Sequence, residues 1–125
     1  MVREHLARLR LALREARTVR VSLLIAGAMN LLAWILFFWF VLPRLSTAPF
    51  FSLHYTVYFG VDRIGAPWRL VSLPAIGLVV LLVNAVLIAR LYVHERLAAT
   101  LVTIATVFFE AMLLWTGLLN ILLNV

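Results

Sequence analysis

One acidic residue, Glu110, lies inside the long apolar run 97–125. At helical rise it is roughly 20 Å from the start of that run. A carboxylate at such a depth in a bilayer costs roughly a few kcal/mol, so we expect Glu110 to be protonated, paired or turned toward a polar cavity. Acids inside membranes often serve proton or cation pathways, which makes Glu110 the first candidate for chemistry.

Small and polar residues recur every three or four positions around Glu110 and on one side of the other two apolar runs. Depth along a helix places Asn30 within reach of Glu110, whereas Asn84 lies about one turn too shallow. The predicted intramembrane polar cluster consists of Asn30, Asn84, Thr106 and Glu110. Two interpretations stay open for it. The cluster either locks helices or copies together, or it carries a proton or cation, and the absence of a relay favours the lock.

The other chemistry-bearing residues form no constellation. The chain has no Cys, and His5, His54 and His94 fall in three separate segments without ligand spacing. No phosphate loop, nucleophile elbow or pair of carboxylates is present in the sequence. We therefore predict no catalytic activity, no metal site and no cofactor. An embedded enzyme acting on lipid would have His54 and Asp62 as its only candidates.

The composition requires that these residues be positioned by membrane helices. Hydrophobic residues make up 66% of the 125 residues and charged residues 13%, which a soluble domain of this size could not cover. The runs 21–42, 70–89 and 97–125 are each long enough to cross a hydrocarbon layer of roughly 30 Å as a helix. We predict an all-α membrane protein with three transmembrane helices, in which a short turn at 90–96 joins the last two.

Residues 1–20 have the pattern of an amphipathic helix lying in the membrane interface. Apolar residues share one face, and Arg3, Arg10, Arg14 and Arg17 form a neighbouring stripe that is expected to contact anionic headgroups. A simple topology signal is the alternative. Arginines number eight on the side of the N-terminus and three on the other side, which predicts an N-terminus inside and a C-terminus outside.

The outer connector, residues 43–69, is long and aromatic. Residues 51–59 alternate between apolar and polar types, which is typical of a strand, and Gly60 and Gly65 offer turns on either side of Asp62. Such a strand must lie on the helix ends, pair with a second extended piece, or add to a partner's sheet. The aromatic residues form either a belt at the headgroups or a recognition surface. The candidate surface comprises His54, Tyr55, Tyr58, Phe59 and Asp62.

The segment 53–65 reads LHYTVYFGVDRIG. It resembles an extracytoplasmic segment, HY-x-x-YFG-x-D-x-IG, of uncharacterised small bacterial membrane proteins with three hydrophobic runs. The likeness covers most of the chain in layout and about a dozen residues in detail. It implies a bacterial cytoplasmic (inner) membrane and the same topology, and it draws attention to the connector as a recognition surface.

These patterns together predict a non-catalytic accessory or assembly protein. It would hold a membrane partner or a copy of itself through the helix stripes and the connector, in a bilayer with anionic headgroups. The basic residues flank an apolar run, so we predict no nucleic-acid partner. The alternative is a small oligomeric transporter or channel that uses Glu110 as its coupling acid.

Overall fold

The computed structural model describes residues 1–56, 58 and 60–124, and for residues 53–56 and 60–63 it describes the backbone only. The α-helices are α1 (Val2–Glu15), α2 (Arg17–Leu36), α3 (Ser72–His94) and α4 (Arg96–Asn124), and the strands are β1 (Phe51–Thr56) and β2 (Gly60–Gly65). Three helical stretches are long and apolar enough to cross a membrane, namely Arg17–Arg44, Pro67–His94 and Arg96–Asn124. The predicted all-α membrane fold with three spans is therefore confirmed.

The helical stretches extend beyond the uncharged runs of the sequence. The first begins at Arg17 rather than at residue 21, and α3 continues through Arg90 to His94. Arginine can belong to a helix at a membrane boundary, because its long aliphatic side chain extends toward the interface and keeps the guanidinium group in water. The predicted turn at 90–96 is consequently reduced to Glu95, whose φ of −140° and ψ of 79° separate α3 from α4.

The first span changes its winding before it ends. A five-residue π-helix, Phe37–Val41, and a short 3-10 helix, Leu42–Arg44, follow α2. Pro43 explains the change, because its ring clashes with the carbonyl four residues earlier and it has no N–H to donate. Arg44 donates from Nη1 to the carbonyl oxygen of Phe40 at 2.6 Å, which satisfies one acceptor near the helix end.

The connector forms a two-stranded antiparallel hairpin, in which β1 pairs with β2 and the register is irregular on both sides of His54. Two of the three arrangements left open for the predicted strand are observed together, because β1 pairs with β2 and also lies on the helix ends through the buried side chain of Phe51. We predicted turns at Gly60 and Gly65, on either side of Asp62. The two glycines are instead the first and last residues of β2. Gly60 pairs with Thr56 at the closed end of the hairpin, and Gly65 pairs with Phe51 at the open end.

Two apolar clusters lie at opposite ends of the helical bundle. The cluster at the α1 end contains Ala12, Val19, Ile88, Tyr92 and Ala99. The cluster at the hairpin end contains Phe37, Val41, Phe51, Leu70 and Ile121. Between them, each of the three spans contributes buried polar or small residues, and that middle layer holds the candidate site.

Candidate functional site

The centre of the bundle is a polar contact that joins all three spans. Asn30 on α2 donates from Nδ2 to Glu110 Oε2 on α4 at 3.2 Å and to the carbonyl oxygen of Pro74 on α3 at 3.0 Å. Asn30 and Glu110 are 4% and 1% exposed. The contact of Asn30 with Glu110 is the one that their depths along the helices predict. We refer to Asn30, Pro74, Gly77 and Glu110 as the polar node.

Gly77 makes this contact possible. A Cβ atom at this position would lie 2.5 Å from Asn30 Nδ2 and 2.7 Å from Glu110 Oε2. Both distances are well inside van der Waals contact, so any larger residue would force the two side chains apart. The glycine is therefore the point where the backbone of α3 approaches the hydrogen bond between α2 and α4.

Glu110 retains one unused oxygen. Its Oε1 atom is buried and has no hydrogen-bond partner among the described residues. None of the described arginines or histidines forms an ion pair with Glu110. The carboxyl group is thus held by one amide donor on one oxygen, and the second oxygen faces the packed interior beside Gly77. This arrangement can hold helices together, and it leaves one acceptor or donor position free for a proton or a ligand.

A second polar contact lies one helical turn nearer the α1 end. Asn84 donates from Nδ2 to Thr106 Oγ1 at 2.8 Å, and the Thr106 hydroxyl donates to the carbonyl oxygen of Val102 at 2.7 Å. Asn84 does not reach Glu110, which agrees with its shallower depth. The four residues of the predicted cluster therefore form two separate interhelical contacts, and the polar node is the one shared by three helices.

The hairpin end contains a polar contact that sequence reasoning did not anticipate. Asn124 accepts from the Ser52 N–H at 2.7 Å through Oδ1 and donates to the Ser52 carbonyl oxygen at 2.8 Å through Nδ2. The side-chain amide thus pairs with β1 much as a neighbouring strand would. The spacing of Asn124 with Asn120 and Gly117 placed it on the polar side of the last helix, but nothing in the sequence indicated Ser52 as its partner.

The apolar face of α1 is turned toward α3. We expected this face to lie in the acyl boundary, but Ala12 is fully buried, and Leu13 and Ala16 pack on the cluster that contains Ile88 and Tyr92. The reason is the non-helical backbone of Ala16, with φ of −104° and ψ of 102°, which lets α1 fold back onto the bundle. Protein therefore covers part of the surface that we assigned to lipid.

The charged residues of α1 divide into two groups. Glu15 Oε2 accepts from the Tyr92 hydroxyl at 3.4 Å and from Arg96 at 3.5 Å, and Glu4 forms an ion pair with Arg8. The predicted lipid contacts Arg3, Arg10, Arg14 and Arg17 are all exposed, and within the described part of the chain no carboxylate pairs with them. These four guanidinium groups remain free to meet anions outside the protein.

The predicted outer recognition surface falls largely outside the described residues. The side chains of His54, Tyr55 and Asp62 and the whole of Phe59 are not described. Tyr58 is described, and its side chain is 91% exposed at the tip of the hairpin. Within the described ranges, no group of three His, Asp or Glu residues is placed to hold a metal ion.

The fold and its central contact define a small membrane protein whose three spans are tied together by buried amide, carboxyl and hydroxyl groups. Comparison of the chain with protein-family models, with curated proteins and with solved structures finds no match. A function for this chain has to be inferred from its own geometry.

Proposed function

We propose that the protein is a non-catalytic accessory or assembly protein of the bacterial cytoplasmic membrane, with its N-terminus inside and its C-terminus outside. The observation that carries this proposal is the pairing of the buried polar side chains with one another across helices. Polar contacts of this kind fix the arrangement of membrane helices, because unsatisfied groups are costly in lipid. On this proposal Glu110 is a neutral acid that holds the bundle together.

The surroundings of Glu110 support a locking role. A cavity on the hairpin side of the node has a volume of about 20 Å³ and is lined by apolar residues such as Ala33, Leu73 and Leu113. That volume suffices for about one water molecule, and a stably bound water needs two to four polar partners. A hydrated path to the carboxyl group would require more room and more polar groups than this side of the node offers.

Partner binding is assigned to surfaces outside the bundle core. The small and polar stripes that we expected to contact a partner are used within the chain, since Ala26, Gly77, Thr103 and Glu110 are all buried. What stays accessible at the hairpin end includes Tyr58. We assign the hairpin as the contact for a membrane partner or a second copy.

Purification of the full chain from its own membrane in mild detergent tests this proposal. We expect a defined partner or a second copy to copurify. Tyr58→Ser should reduce that recovery severalfold, because it removes an exposed aromatic contact without touching the core. Trp39→Leu is the matched control, since Trp39 is an exposed aromatic residue, 74% exposed, on the side of the first span. A monomer that is recovered alone in every preparation would refute the proposal.

The second candidate function is an oligomeric transporter or channel with Glu110 as its coupling acid. The unpartnered Oε1 atom of Glu110 is the observation that favours it. Glu110→Gln distinguishes the two functions, because the amide keeps the shape of the side chain and removes its acidity. Loss of coupled flux in proteoliposomes with intact assembly would support transport, whereas unchanged flux would eliminate it.

A further inference from the structure

A second cavity lies between the N-terminal half of α1 and α3. Its volume is about 250 Å³ and it is open on one side. Its walls include Val2, Leu6 and Leu9 from α1 and Leu82, Ala85 and Val86 from α3. The cavity exists because α1 is fastened to the bundle at its C-terminal end, where Ala12 is buried and Glu15 contacts Tyr92, while its N-terminal half stands away from α3.

The occupant of an open apolar cavity of this size comes from the medium that surrounds the protein. The lining is aliphatic apart from His5, so the cavity offers almost nothing to water or to a polar ligand. The lining residues of α3 belong to a helix that is long and apolar enough to cross a membrane. The material next to such a helix is hydrocarbon, and each methylene group buried there favours binding.

The charges of α1 indicate which lipid would occupy the cavity. On a helical projection, Arg3, Arg10 and Arg14 share the flank of α1 that adjoins Leu6 and Leu13. No carboxylate of the described residues pairs with these arginines. The acids of α1 occupy the opposite flank and are engaged by Arg8 and Arg96. One flank of the opening is therefore cationic and uncompensated, which matches an anionic headgroup.

His5 does not add a polar surface to the cavity. It is the one polar side chain in the lining, and both of its ring nitrogens are shielded without a hydrogen bond to any described residue. Because these nitrogens are shielded, the surface that the cavity offers to an occupant is apolar, which suits an acyl chain.

We propose that this cavity binds one acyl chain of an anionic phospholipid, and that the cationic flank formed by Arg3, Arg10 and Arg14 attracts its headgroup. Chain and headgroup are recognised by two different parts of one helix face, so the site selects for charge as well as for hydrophobicity. The inference is independent of the protein partner proposed above, because it concerns α1 and the half of α3 that is farther from the hairpin.

Native mass spectrometry of the full chain with added lipid tests the site. We compare phosphatidylglycerol with phosphatidylcholine that carries the same acyl chains, and we expect one phosphatidylglycerol to be retained with about tenfold preference, the equivalent of about one good charge-assisted contact. Replacing Arg3, Arg10 and Arg14 together by Gln should abolish the preference. Arg8→Gln is the control, because Arg8 already pairs with Glu4. Equal retention of the two lipids by the unaltered protein would overturn the assignment of the arginines.

Filling the cavity tests the binding of the chain. Ala85→Phe should reduce retention of phosphatidylglycerol about tenfold, as expected if roughly two methylene groups lose their apolar surroundings. Val83→Phe is the matched control, because Val83 lies on the same helix and is 59% exposed. Unchanged retention by a folded Ala85→Phe protein would overturn the proposal. A dimer that Ala85→Phe disrupts, with no lipid bound to either protein, would show that a second copy occupies the cavity and would equally overturn it.

A second pair of substitutions covers the case in which Ala85→Phe does not fold. Leu6 is 52% exposed, so Leu6→Gln should be tolerated while it places an amide group in the cavity. It should lower lipid retention to a similar extent. Leu11→Gln is its control, because Leu11 is 44% exposed and lies on the opposite face of α1. Equal lipid retention by these two proteins would contradict the site.

Discussion

The polar node and the contact between α1 and α3 show two different ways of joining helices in one small chain. At the node, three helices meet around one hydrogen-bonded pair, and Gly77 lets the backbone of α3 approach to within contact distance. Between α1 and α3, apolar packing closes only one end and leaves a cavity of about 250 Å³ at the other. Buried polar groups require close approach to find partners, whereas an apolar face can be completed by protein or by lipid.

The largest expected effect on stability comes from adding a methyl group at Gly77, where there is no room for a side chain. Gly77→Ala places a methyl group 2.5 Å from Asn30 Nδ2 and should break the hydrogen bond to Glu110. We expect a loss of about 2–3 kcal/mol in the free energy of unfolding, from overpacking and from separated polar groups. Reversible unfolding in mixed micelles measures it.

Gly27 offers a matched control for that substitution. Apart from the neighbouring residues and the backbone of its own helix, no described heavy atom lies within 4 Å of the position that its Cβ would occupy. Gly27→Ala should therefore be neutral or stabilise the protein by about 0.5–1 kcal/mol, because alanine restricts the unfolded chain and favours the helix. If the two alanine variants unfold alike, close approach at the node is not what holds the three spans together.

The next effect concerns the hairpin, which is held on the bundle by the packing of Phe51 and by the side-chain amide of Asn124. Asn124→Leu removes both hydrogen bonds to Ser52, with distances of 2.7 and 2.8 Å. We expect a loss of about 1–2 kcal/mol, since two partly buried backbone groups lose their partner. Faster hydrogen exchange of the Ser52 amide would report the loosening directly.

Asn120→Leu is the matched comparison for Asn124→Leu. Among the described residues, the Asn120 side chain donates to the carbonyl oxygen of Thr116 in its own helix, and its Oδ1 atom has no partner. Its replacement should leave the hairpin amides unchanged. Accelerated exchange at Ser52 in this variant would mean that the end of α4 as a whole, and not the Asn124 amide, secures β1.

The layout of the three spans and one contact within the site, that of Asn30 with Glu110, could be predicted from the sequence. Depth along a helix is fixed by residue count, so the level of Asn30 relative to Glu110 follows from the sequence alone. The approach of α3 through Gly77 does not, because it depends on how each helix is rotated about its axis. The contact of Asn124 with Ser52 joins residues 72 positions apart and depends on where the hairpin folds.

The direction taken by α1 illustrates a further limit of sequence reasoning. An amphipathic face has the same spacing whether lipid or protein covers it. The backbone of Ala16 decides the matter here, and alanine has no marked preference for the extended conformation that it adopts. The arginine stripe was recognisable because charge is visible in the sequence, while the cavity beside it required the positions of two helices.

A double-mutant cycle measures the coupling free energy between Asn30 and Glu110 in the polar node. Asn30→Leu, Glu110→Leu and the double variant isolate the coupling free energy of the pair, which we expect to lie between about 0.6 kcal/mol, the average for hydrogen bonds between membrane helices, and about 1.7 kcal/mol, the largest value for such bonds. The same cycle on Asn84 and Thr106 should give a smaller value, because Thr106 also bonds to its own helix. A coupling energy of zero between Asn30 and Glu110 would contradict a locking role for the pair.

The smallest effect is expected at the fastened end of α1. Glu15→Gln weakens the contact with Arg96, whose N–O distance is 3.5 Å and whose side chains are 44% and 73% exposed. Exposed ion pairs of this kind contribute about 0.2–1 kcal/mol, and salt screens them. We therefore expect a loss of only a few tenths of a kcal/mol in unfolding experiments, and high salt should erase it. Removal of Glu15 should nevertheless increase the hydrogen exchange of α1 more than that of α2, because α1 has no polar node to hold it. If both helices respond equally, α1 is as firmly integrated as the membrane spans, and the contrast between a locked centre and a helix that is closed at one end does not hold.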